Sequence, residues 1–412
     1  MRSSRNRVAS RRRARALAIA AVAALVPVAA ASASSGGASL PGSEPEPQAP
    51  IGDSAFDRQG MWIWYVARSE DGSLGRIIAR ARRAGVGTVY IKAGDEATPW
   101  RQFSRYLVQR LHRGGLDVCA WTFVYGDHPV AEAKVAAAAV EKGADCYVID
   151  AEGHYEGKYA SADRFVRALR ARVGGQFPVS LATFPYVDYH PAFPYSVFLG
   201  PGGAQYNQPQ MYWKAIGTSV RSVYEHTYLF NRLWQRPIYP LGQTYQNPGR
   251  KPILRFRRFS TSYGGLPPSW WSWQETNPRE WRALGARTAG AVPGYRPITA
   301  HPTLRRGSEG DLVVWAQQHL VGAGQTQLPV TGFFRRLTYR ATRAFQREHG
   351  LPISGVIGPR TWRRLLGYDP VRIRWSAPRS RSRRVGRAVA PRAPASAALP
   401  ARGYEIDPGP RP

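Results

Sequence analysis

The sequence has 412 residues, 43% hydrophobic and 21% charged, which excludes a chain that is disordered throughout and is more than one average domain needs. Lys and Arg number 58 against 27 acidic residues, which gives a formal net charge of +31. Such a charge attracts any anionic partner, so composition does not distinguish nucleic acid, a membrane surface and an anionic cell envelope.

The first 33 residues have the layout of an export signal. Seven arginines precede residue 16, and the run from Ala16 to Ala31 carries no charge. The run is too short and too rich in Ala for a permanent membrane span, and residues 31–33 (Ala-Ser-Ala) supply small residues for cleavage. We predict a signal peptide over residues 1–33, exported by the general secretory route or, because residues 10–13 read Ser-Arg-Arg-Arg, by the twin-arginine route. Export and the lack of a zinc-finger or RNA-binding signature argue against a nucleic-acid partner.

Only two cysteines occur, Cys119 and Cys146, and no Cys-x-x-Cys or Cys/His cluster accompanies them. This pattern excludes a structural zinc site and a fold held together by many disulfides. Both cysteines lie near the start of consecutive predicted strands. They form either one disulfide in an exported protein or two small buried apolar side chains.

Residues 34–58 are rich in Ser, Gly, Pro and Glu and are predicted to be a flexible linker. From residue 59 to about 290, apolar segments alternate with amphipathic ones, such as the segment with Leu74, Ile77, Ile78 and Ala81 on one face. The predicted strands are residues 61–66, 88–92, 118–124, 146–150, 179–184, 208–213, 237–242 and 270–274. Eight strand-helix units predict an α/β fold, a (β/α)8 barrel. An open doubly wound sheet competes with it, but no Gly-rich nucleotide loop follows the first strand.

A second unit, residues 300–368, contains a short internal repeat. Residues 330–334 (Val-Thr-Gly-Phe-Phe) with Thr338 are echoed by residues 353–357 (Ile-Ser-Gly-Val-Ile) with Thr361, and each Thr is predicted to cap the next helix. The repeat resembles the three-helix peptidoglycan-binding module of bacterial wall enzymes, although Arg335 stands where Gly or Asp is usual. The resemblance implies a small all-α domain that holds the protein on peptidoglycan. Residues 369–412, rich in Pro, Ala and Arg, are predicted to be a disordered basic tail that could grip other anionic wall polymers.

The strongest candidate for chemistry is Asp150-Ala151-Glu152, at the end of the fourth predicted strand. Active sites of such barrels lie at the C-terminal ends of the strands, and residues i and i+2 of a strand face the same way. Two close carboxylates resist ionising together, so one keeps a proton for the general acid catalysis that glycosidic cleavage requires. Asp95 and Asp188, each near a strand end, are further catalytic candidates as electrostatic partners.

This Asp-x-Glu and the Trp273-Gln274 pair at the eighth strand resemble the family-25 glycoside hydrolases, the Chalaropsis-type lysozymes. The resemblance implies that Glu152 is the general acid and Asp150 its partner. The chain departs from that family in two places: residues 61–66 contain no Asp, and Gln208, Gln210 and Tyr212 stand where a further acid is expected near the sixth strand.

Sugar rings stack on flat aromatic side chains, although about half of the strand-end aromatics are predicted to be barrel core. The predicted substrate-binding residues are Trp62, Trp64, Trp121, Tyr125, Tyr186, Gln210, Tyr212, Gln243, Trp273 and Gln274. The histidines at 128, 154 and 190 lack the spacing of a metal site, so neither a metal nor another cofactor is predicted.

Three functions remain open at this level. The first is a secreted, wall-associated glycosidase that cuts peptidoglycan, most favourably at the N-acetylmuramyl to N-acetylglucosamine linkage. The second is a glycosidase for another envelope polysaccharide. The third is a binding or scaffolding protein with an inactive barrel, which the missing acids favour. The sequence does not predict the stereochemical outcome or the oligomeric state.

Overall fold

The computed structural model describes residues 54–288 and 290–376, so the predicted signal peptide and most of the predicted linker and tail lie outside the described residues. Its centre is a ring of eight parallel strands surrounded by helices. The strands are β1 (Gly60–Ile63), β2 (Thr88–Asp95), β3 (Asp117–Val124), β4 (Cys146–Ala151), β5 (Val179–Thr183), β6 (Tyr206–Pro209), β7 (Leu241–Gln243) and β8 (Ser269–Trp271). A two-residue antiparallel strand, Thr98–Pro99, pairs with the end of β2.

Adjacent strands pair in the order β6, β5, β4, β3, β2, β1, β8, β7. Two isolated parallel bridges, Asn207 with Ile238 and Gln210 with Leu241, join the two ends of this order. The ring is thereby nearly closed, and the predicted (β/α)8 barrel is confirmed.

Two strands have other bounds than the sequence predicts. The segment predicted at residues 237–242 forms a ladder only from Leu241, because Pro237 and Pro240 have no N–H to donate. The segment predicted at residues 270–274 leaves the ladder after Trp271, and a 3-10 helix, Trp273–Glu275, turns the chain away. The inward and outward alternation of a strand therefore does not extend to Trp273.

Helices cover the outside of the barrel and bury apolar side chains against it, as α1 does with Ile77, Ile78 and Ala81. They are α1 (Leu74–Arg83), α2 (Arg105–Arg113), α3 (Pro129–Val140), α4 (Tyr159–Val173), α5 (Tyr195–Phe198), α6 (Trp213–Ile216), α7 (Val220–Asn231), α8 (Arg250–Ser262) and α9 (Pro278–Leu284). Within the described ranges, no helix is both long and apolar enough to cross a membrane.

The barrel is closed at its N-terminal end by residues that the sequence assigns to the linker. A 3-10 helix, Ala55–Asp57, inserts the fully buried Phe56 against the rings of Tyr206 and Tyr239, at centroid distances of 4.7 and 5.8 Å. The carbonyl oxygen of Ala55 accepts a hydrogen bond from the Thr88 hydroxyl at the start of β2. The predicted linker boundary at residue 58 is therefore too late, because residues 54–58 already belong to the fold.

The two cysteines form a disulfide inside the barrel. Cys119 and Cys146 are direct partners in the β3–β4 ladder, their Cα atoms are 4.6 Å apart, and both side chains are fully buried. Of the two alternatives that the sequence left open, the structure has the disulfide. Disulfides persist in oxidising compartments, so this pairing is consistent with export.

Replacing both cysteines by Ala should lower the free energy of unfolding by about 3 to 4 kcal/mol. The disulfide closes a loop with a sequence separation of 27 residues, and the cross-link restricts the unfolded chain by roughly that amount. Chemical denaturation of the oxidised protein, the reduced protein and the double variant measures the effect. Equal stability of the oxidised protein and the double variant would contradict it.

The C-terminal module consists of three helices, α10 (Asp311–Gly322), α11 (Arg336–Glu348) and α12 (Pro359–Leu365). Its internal repeat is built around two buried glutamines. The Gln317 amide oxygen accepts from the backbone of Gly332 while its nitrogen donates to the Thr338 hydroxyl, and Gln346 makes the same two contacts with Gly355 and Thr361.

The predicted helix caps of this repeat are wrong. Thr338 and Thr361 lie inside α11 and α12, and their hydroxyls donate to the carbonyl oxygens of Phe333 and Val356. Each Thr is held there because the buried glutamine of its repeat supplies the donor to its hydroxyl.

The module packs directly on the barrel through α10. The fully buried Asp311 accepts hydrogen bonds from the backbone N–H and the hydroxyl of Ser196 at 2.8 and 2.6 Å. Trp315 donates its indole N–H to the carbonyl oxygen of Leu233 and lies edge-on to Trp234. The two domains are therefore joined by a buried junction.

The first residues of the predicted tail belong to the same junction. Trp375 packs against Tyr159 of α4 with ring centroids 4.6 Å apart, and Val371 exchanges hydrogen bonds with Gln318 of α10. Residues 371–376 therefore lie along both domains, and the predicted boundary at residue 369 is too early.

The junction should weaken as the pH rises. Burial is the main cause that raises the pKa of Asp311 from 3.8 to about 7. Between about pH 4 and 7 the folded protein keeps a proton that the unfolded chain releases, so this group lowers the free energy of unfolding by up to about 1.4 kcal/mol per pH unit. Asp311→Asn, which does not ionise, should lack this slope, as thermal unfolding of both proteins across pH 4 to 8 would show. Identical pH dependence in the two proteins would refute the assignment.

Candidate active site

Two carboxylates and one amide form the centre of the site, at the C-terminal ends of β4 and β6. Asp150 lies in β4 and is 6% exposed, and the partly buried Glu152 follows the last residue of that strand. The Gln210 side chain, just beyond β6, donates its amide N–H groups to Asp150 Oδ1 at 3.1 Å and to Glu152 Oε1 at 3.0 Å. A single nitrogen thus holds both carboxyl groups side by side.

The environment of this pair favours retention of a proton. Burial is the largest cause that raises the pKa of Asp150 well above its usual value, and repulsion by Glu152 adds to it. Burial also raises the pKa of Glu152, while the Gln210 hydrogen bond and two histidines, His154 and His190, oppose the rise. The pair therefore holds a proton at pH values where isolated carboxylic acids have lost theirs.

A buried lysine is the cation of the site. Lys92, in β2, is 3% exposed and forms an ion pair with Asp95 at the end of the same strand. Its ammonium nitrogen also lies over the rings of three tryptophans, at 4.9 Å from Trp64, 4.6 Å from Trp100 and 5.1 Å from Trp121. Such contacts compensate for the loss of water around a buried charge. The positive charge of Lys92 lowers the pKa of Asp150, against the effect of burial.

Lys92 is not among the residues predicted for the site, although the sequence contains a signal for it. Tyr90 and Lys92 are two residues apart in a strand, and Tyr90 lies in the aromatic interior of the barrel. A Lys that alternates with an inward aromatic residue in an apolar strand points inward as well.

Asp95 lies beside the lysine rather than between the two carboxylates. Besides the ion pair, its Oδ1 accepts a hydrogen bond from the Tyr125 hydroxyl at 3.2 Å. Tyr125 in turn packs edge-on against His154, one of the histidines that acts on Glu152. These contacts connect the end of β2 with the loop that follows β4.

Tryptophans form the floor of the site. Trp62 and Trp121 are each 1% exposed, and their indole N–H groups donate to the Ser269 hydroxyl and the Tyr90 carbonyl oxygen. These two predicted substrate-binding residues thus pack in the interior of the barrel, and their role in substrate binding stays a prediction.

Trp271, which the sequence analysis did not single out, lies at the centre of this floor. Its ring contacts those of Trp62, Trp64 and Trp121 at centroid distances of 5.5 to 5.8 Å, and it is 9% exposed. The strand signal favoured Trp273, but β8 ends before that residue. Burial is the main cause that raises the pKa of Tyr212, and Tyr245 and the two carboxylates, Asp150 and Glu152, add to it.

Three further candidates have partners outside the carboxylate pair. Trp273 donates its indole N–H to Glu70 Oε1 at 3.3 Å, in the outer layer. The Gln274 amide oxygen accepts from the backbone N–H groups of Trp64 and Tyr65, so it fixes the chain after β1. The buried Gln243 accepts from two backbone N–H groups at the start of α6 and donates to the Tyr245 carbonyl oxygen.

Tyr186 and Asp188 form the remaining group. Both contact His226 of α7, Tyr186 by stacking at 3.9 Å between ring centroids and Asp188 through a 2.6 Å contact with Nε2. Their roles in catalysis or substrate binding stay predictions. Among the described residues, no group of three or more His, Cys, Asp or Glu side chains could hold a metal ion.

Comparison with known proteins identifies one family. Residues 309–365 match the family model described as "Putative peptidoglycan binding domain", which confirms the predicted C-terminal module. A search of curated proteins gave no match.

Solved structures are similar to the chain at low identity. The endo-beta-1,4-mannanase of Thermotoga petrophila is 8% identical with a TM-score of 0.42, and the match covers 54% of this chain and 69% of that one. The spore cortex-lytic enzyme SleL of Bacillus cereus is 12% identical with a TM-score of 0.41, over 55% of this chain and 73% of that one. A class V chitinase from Pseudomonas fluorescens is 11% identical with a TM-score of 0.42, over 55% and 98%.

Proposed function

We propose that the protein is an exported glycoside hydrolase that cleaves the glycan strands of peptidoglycan and is held on the wall by its C-terminal module. The observation that carries this proposal is the buried pair of Asp150 and Glu152, joined by the Gln210 amide at the mouth of the barrel. General acid catalysis of glycosidic cleavage needs a carboxyl group that keeps its proton, and this pair provides one.

Glu152 is the proposed proton donor. It is the more exposed of the two carboxyl groups and lies beyond the end of β4, so a glycosidic oxygen at the mouth reaches it first. As the bond to the leaving sugar breaks, the proton passes from Glu152 to the leaving oxygen, and Glu152 becomes a carboxylate. Water that enters later returns a proton to it.

Asp150 is the proposed electrostatic partner. Asp150 lies deeper in the barrel, where burial and Glu152 raise its pKa and the charge of Lys92 lowers it, and in its ionised form it stabilises the positive charge that develops on the sugar ring. Because one amide nitrogen binds both carboxyl groups, no sugar fits between them, unlike the acid and nucleophile of a flanking pair. This geometry supports attack by the N-acetyl group of the substrate rather than by Asp150, with Asp150 orienting that group.

The C-terminal module supports two parts of the proposal: the location on the cell wall and peptidoglycan as the substrate. Residues 309–365 match a peptidoglycan-binding family, and α10 of this module packs on the barrel through buried contacts. The module would therefore hold the barrel on the glycan that it binds. The disulfide supports an oxidising compartment, as expected for a secreted, wall-associated protein.

The test is digestion of purified peptidoglycan by the mature protein. Mass spectrometry and reducing-end labelling of the soluble products should show new N-acetylmuramic acid or N-acetylglucosamine reducing ends, and the identity of the sugar tells which bond is cut. The Glu152→Gln variant should release none at the same concentration.

Two other outcomes distinguish the competing functions. If reducing ends are released only from another envelope polysaccharide, the protein is a glycosidase whose substrate is that polysaccharide and not peptidoglycan. No release from any glycan, while protein and variant still co-sediment with peptidoglycan, would favour a binding protein with an inactive barrel.

A further inference from the structure

One face of α11 carries an uninterrupted row of arginines. Arg336, Arg340, Arg343 and Arg347 are all exposed, and their spacing of four, three and four residues puts them within an arc of about 60° on the helix. The row is about 16 Å long at the rise of an α-helix. The buried side of α11, with Thr338, Thr342 and Phe345, lies opposite.

These arginines have no acidic partners on their own helix. The positions three and four residues away from each of them hold no Asp or Glu, and several hold another arginine of the row. In the part of the chain that the structure describes, Arg–carboxylate ion pairs lie elsewhere, for instance Arg76 with Asp71 on the barrel. Like charges at these spacings destabilise a helix, so the row is a feature that folding alone does not favour.

A fifth arginine extends the row across the module. The guanidinium groups of Arg343 and Arg306 both lie 5.7 Å from the ring centroid of Tyr339. Arg306 belongs to the loop before α10, so the positive surface continues beyond α11. We define the arginine row as Arg306, Arg336, Arg340, Arg343 and Arg347.

We infer that the arginine row binds a linear phosphodiester polymer attached to the peptidoglycan, as a second ligand beside the glycan. A guanidinium presents a planar fork of donors that matches a phosphate group, and a row of them matches a chain with regularly spaced phosphates. The surface lies on the domain that docks on the wall, so a polymer fixed to the same wall is within its reach. This inference concerns attachment and does not depend on the glycosidase activity.

The test compares three proteins, the parent, a row variant and a matched control, on two wall preparations, all in the Glu152→Gln background so that the walls stay intact. One variant replaces the four α11 arginines of the row by Gln. The matched control replaces four exposed barrel arginines, Arg83, Arg113, Arg172 and Arg255, by Gln, which removes the same net charge. The walls are used with their phosphodiester polymers and after removal of those polymers by hydrofluoric acid.

We expect co-sedimentation to weaken about ten-fold or more on intact walls for the row variant and much less for the control. On stripped walls the two variants should bind equally well, and binding of the parent should lose the salt dependence that the phosphate contacts of the row give. If the row variant does not fold, the Arg340→Gln/Arg347→Gln double variant should show a smaller loss of the same kind.

Three results would overturn the inference. If the parent binds equally well to walls before and after hydrofluoric acid treatment, the phosphodiester polymer is not the ligand of the row. If the row variant and the control lose wall binding equally, the loss comes from the lower net charge and not from the row. If a short single-stranded DNA added as competitor binds the row in preference to the wall, the ligand of the row is nucleic acid and not the wall polymer.

Discussion

Replacement of Glu152 by Gln is expected to lower kcat on peptidoglycan by about 10²- to 10⁴-fold, the usual contribution of a general acid, with little change in KM. Gln keeps the size of the side chain and can still contact the Gln210 amide, so the loss reports the missing proton. In the parent, burial raises the pKa of Glu152, so activity should persist above the pH at which an ordinary Glu ionises. It should then fall as the pH rises through that higher pKa.

The matched control is Glu96→Gln, because Glu96 follows β2 at the same end of the barrel and its side chain is partly exposed. Its rate should stay within about two-fold of the parent, the scale of an ordinary surface substitution. Initial rates of reducing-end formation across pH 4 to 8 measure all three proteins. A Glu152→Gln protein that keeps full activity, or one whose loss is matched by the control, would remove Glu152 from the mechanism.

The barrel could be predicted from sequence because its signal is repeated eight times. Strand-to-strand spacing and amphipathic helices each recur, so errors at single boundaries, such as those at Pro237 and Trp273, do not change the topology. The disulfide could not be decided in the same way. The register of the strands decides which residues of neighbouring strands face each other, and the register cannot be read from the sequence alone.

The arrangement of the candidate site could be predicted in part, for a related reason. Asp150 lies in β4 and Glu152 directly follows that strand, so local alternation is enough to bring them together. Gln210 follows β6 and Lys92 lies in β2, and their approach to the pair depends on the tilt and closure of the whole barrel. The contact of Asp311 with Ser196 could not be predicted from the local sequence either. An acidic residue at the start of a helix already interacts favourably with the helix dipole, so it gives no sign of a contact between domains.

Replacement of Lys92 by Met should lower kcat by about 10- to 100-fold and move the acidic limb of the pH profile to higher pH. The proposed mechanism needs Asp150 as a carboxylate, and Lys92 is the cation that lowers its pKa. Without that charge, burial and the repulsion by Glu152 are opposed only by the Gln210 hydrogen bond, so Asp150 keeps its proton to higher pH. Met fills a similar volume among Trp64, Trp100 and Trp121, which limits the structural damage.

Asp95→Asn is the control, because it should displace the acidic limb of the pH profile in the opposite direction. The negative charge of Asp95 raises the pKa of Asp150, so its removal leaves Lys92 unneutralised and should move the acidic limb to lower pH. A purely structural role for this ion pair predicts lower thermal midpoints in both variants and no displacement of either limb. Opposite displacements of the limb in Lys92→Met and Asp95→Asn, measured by rate against pH beside the unfolding curves, would therefore assign Lys92 to the electrostatics of Asp150. Displacements of the same sign would contradict it.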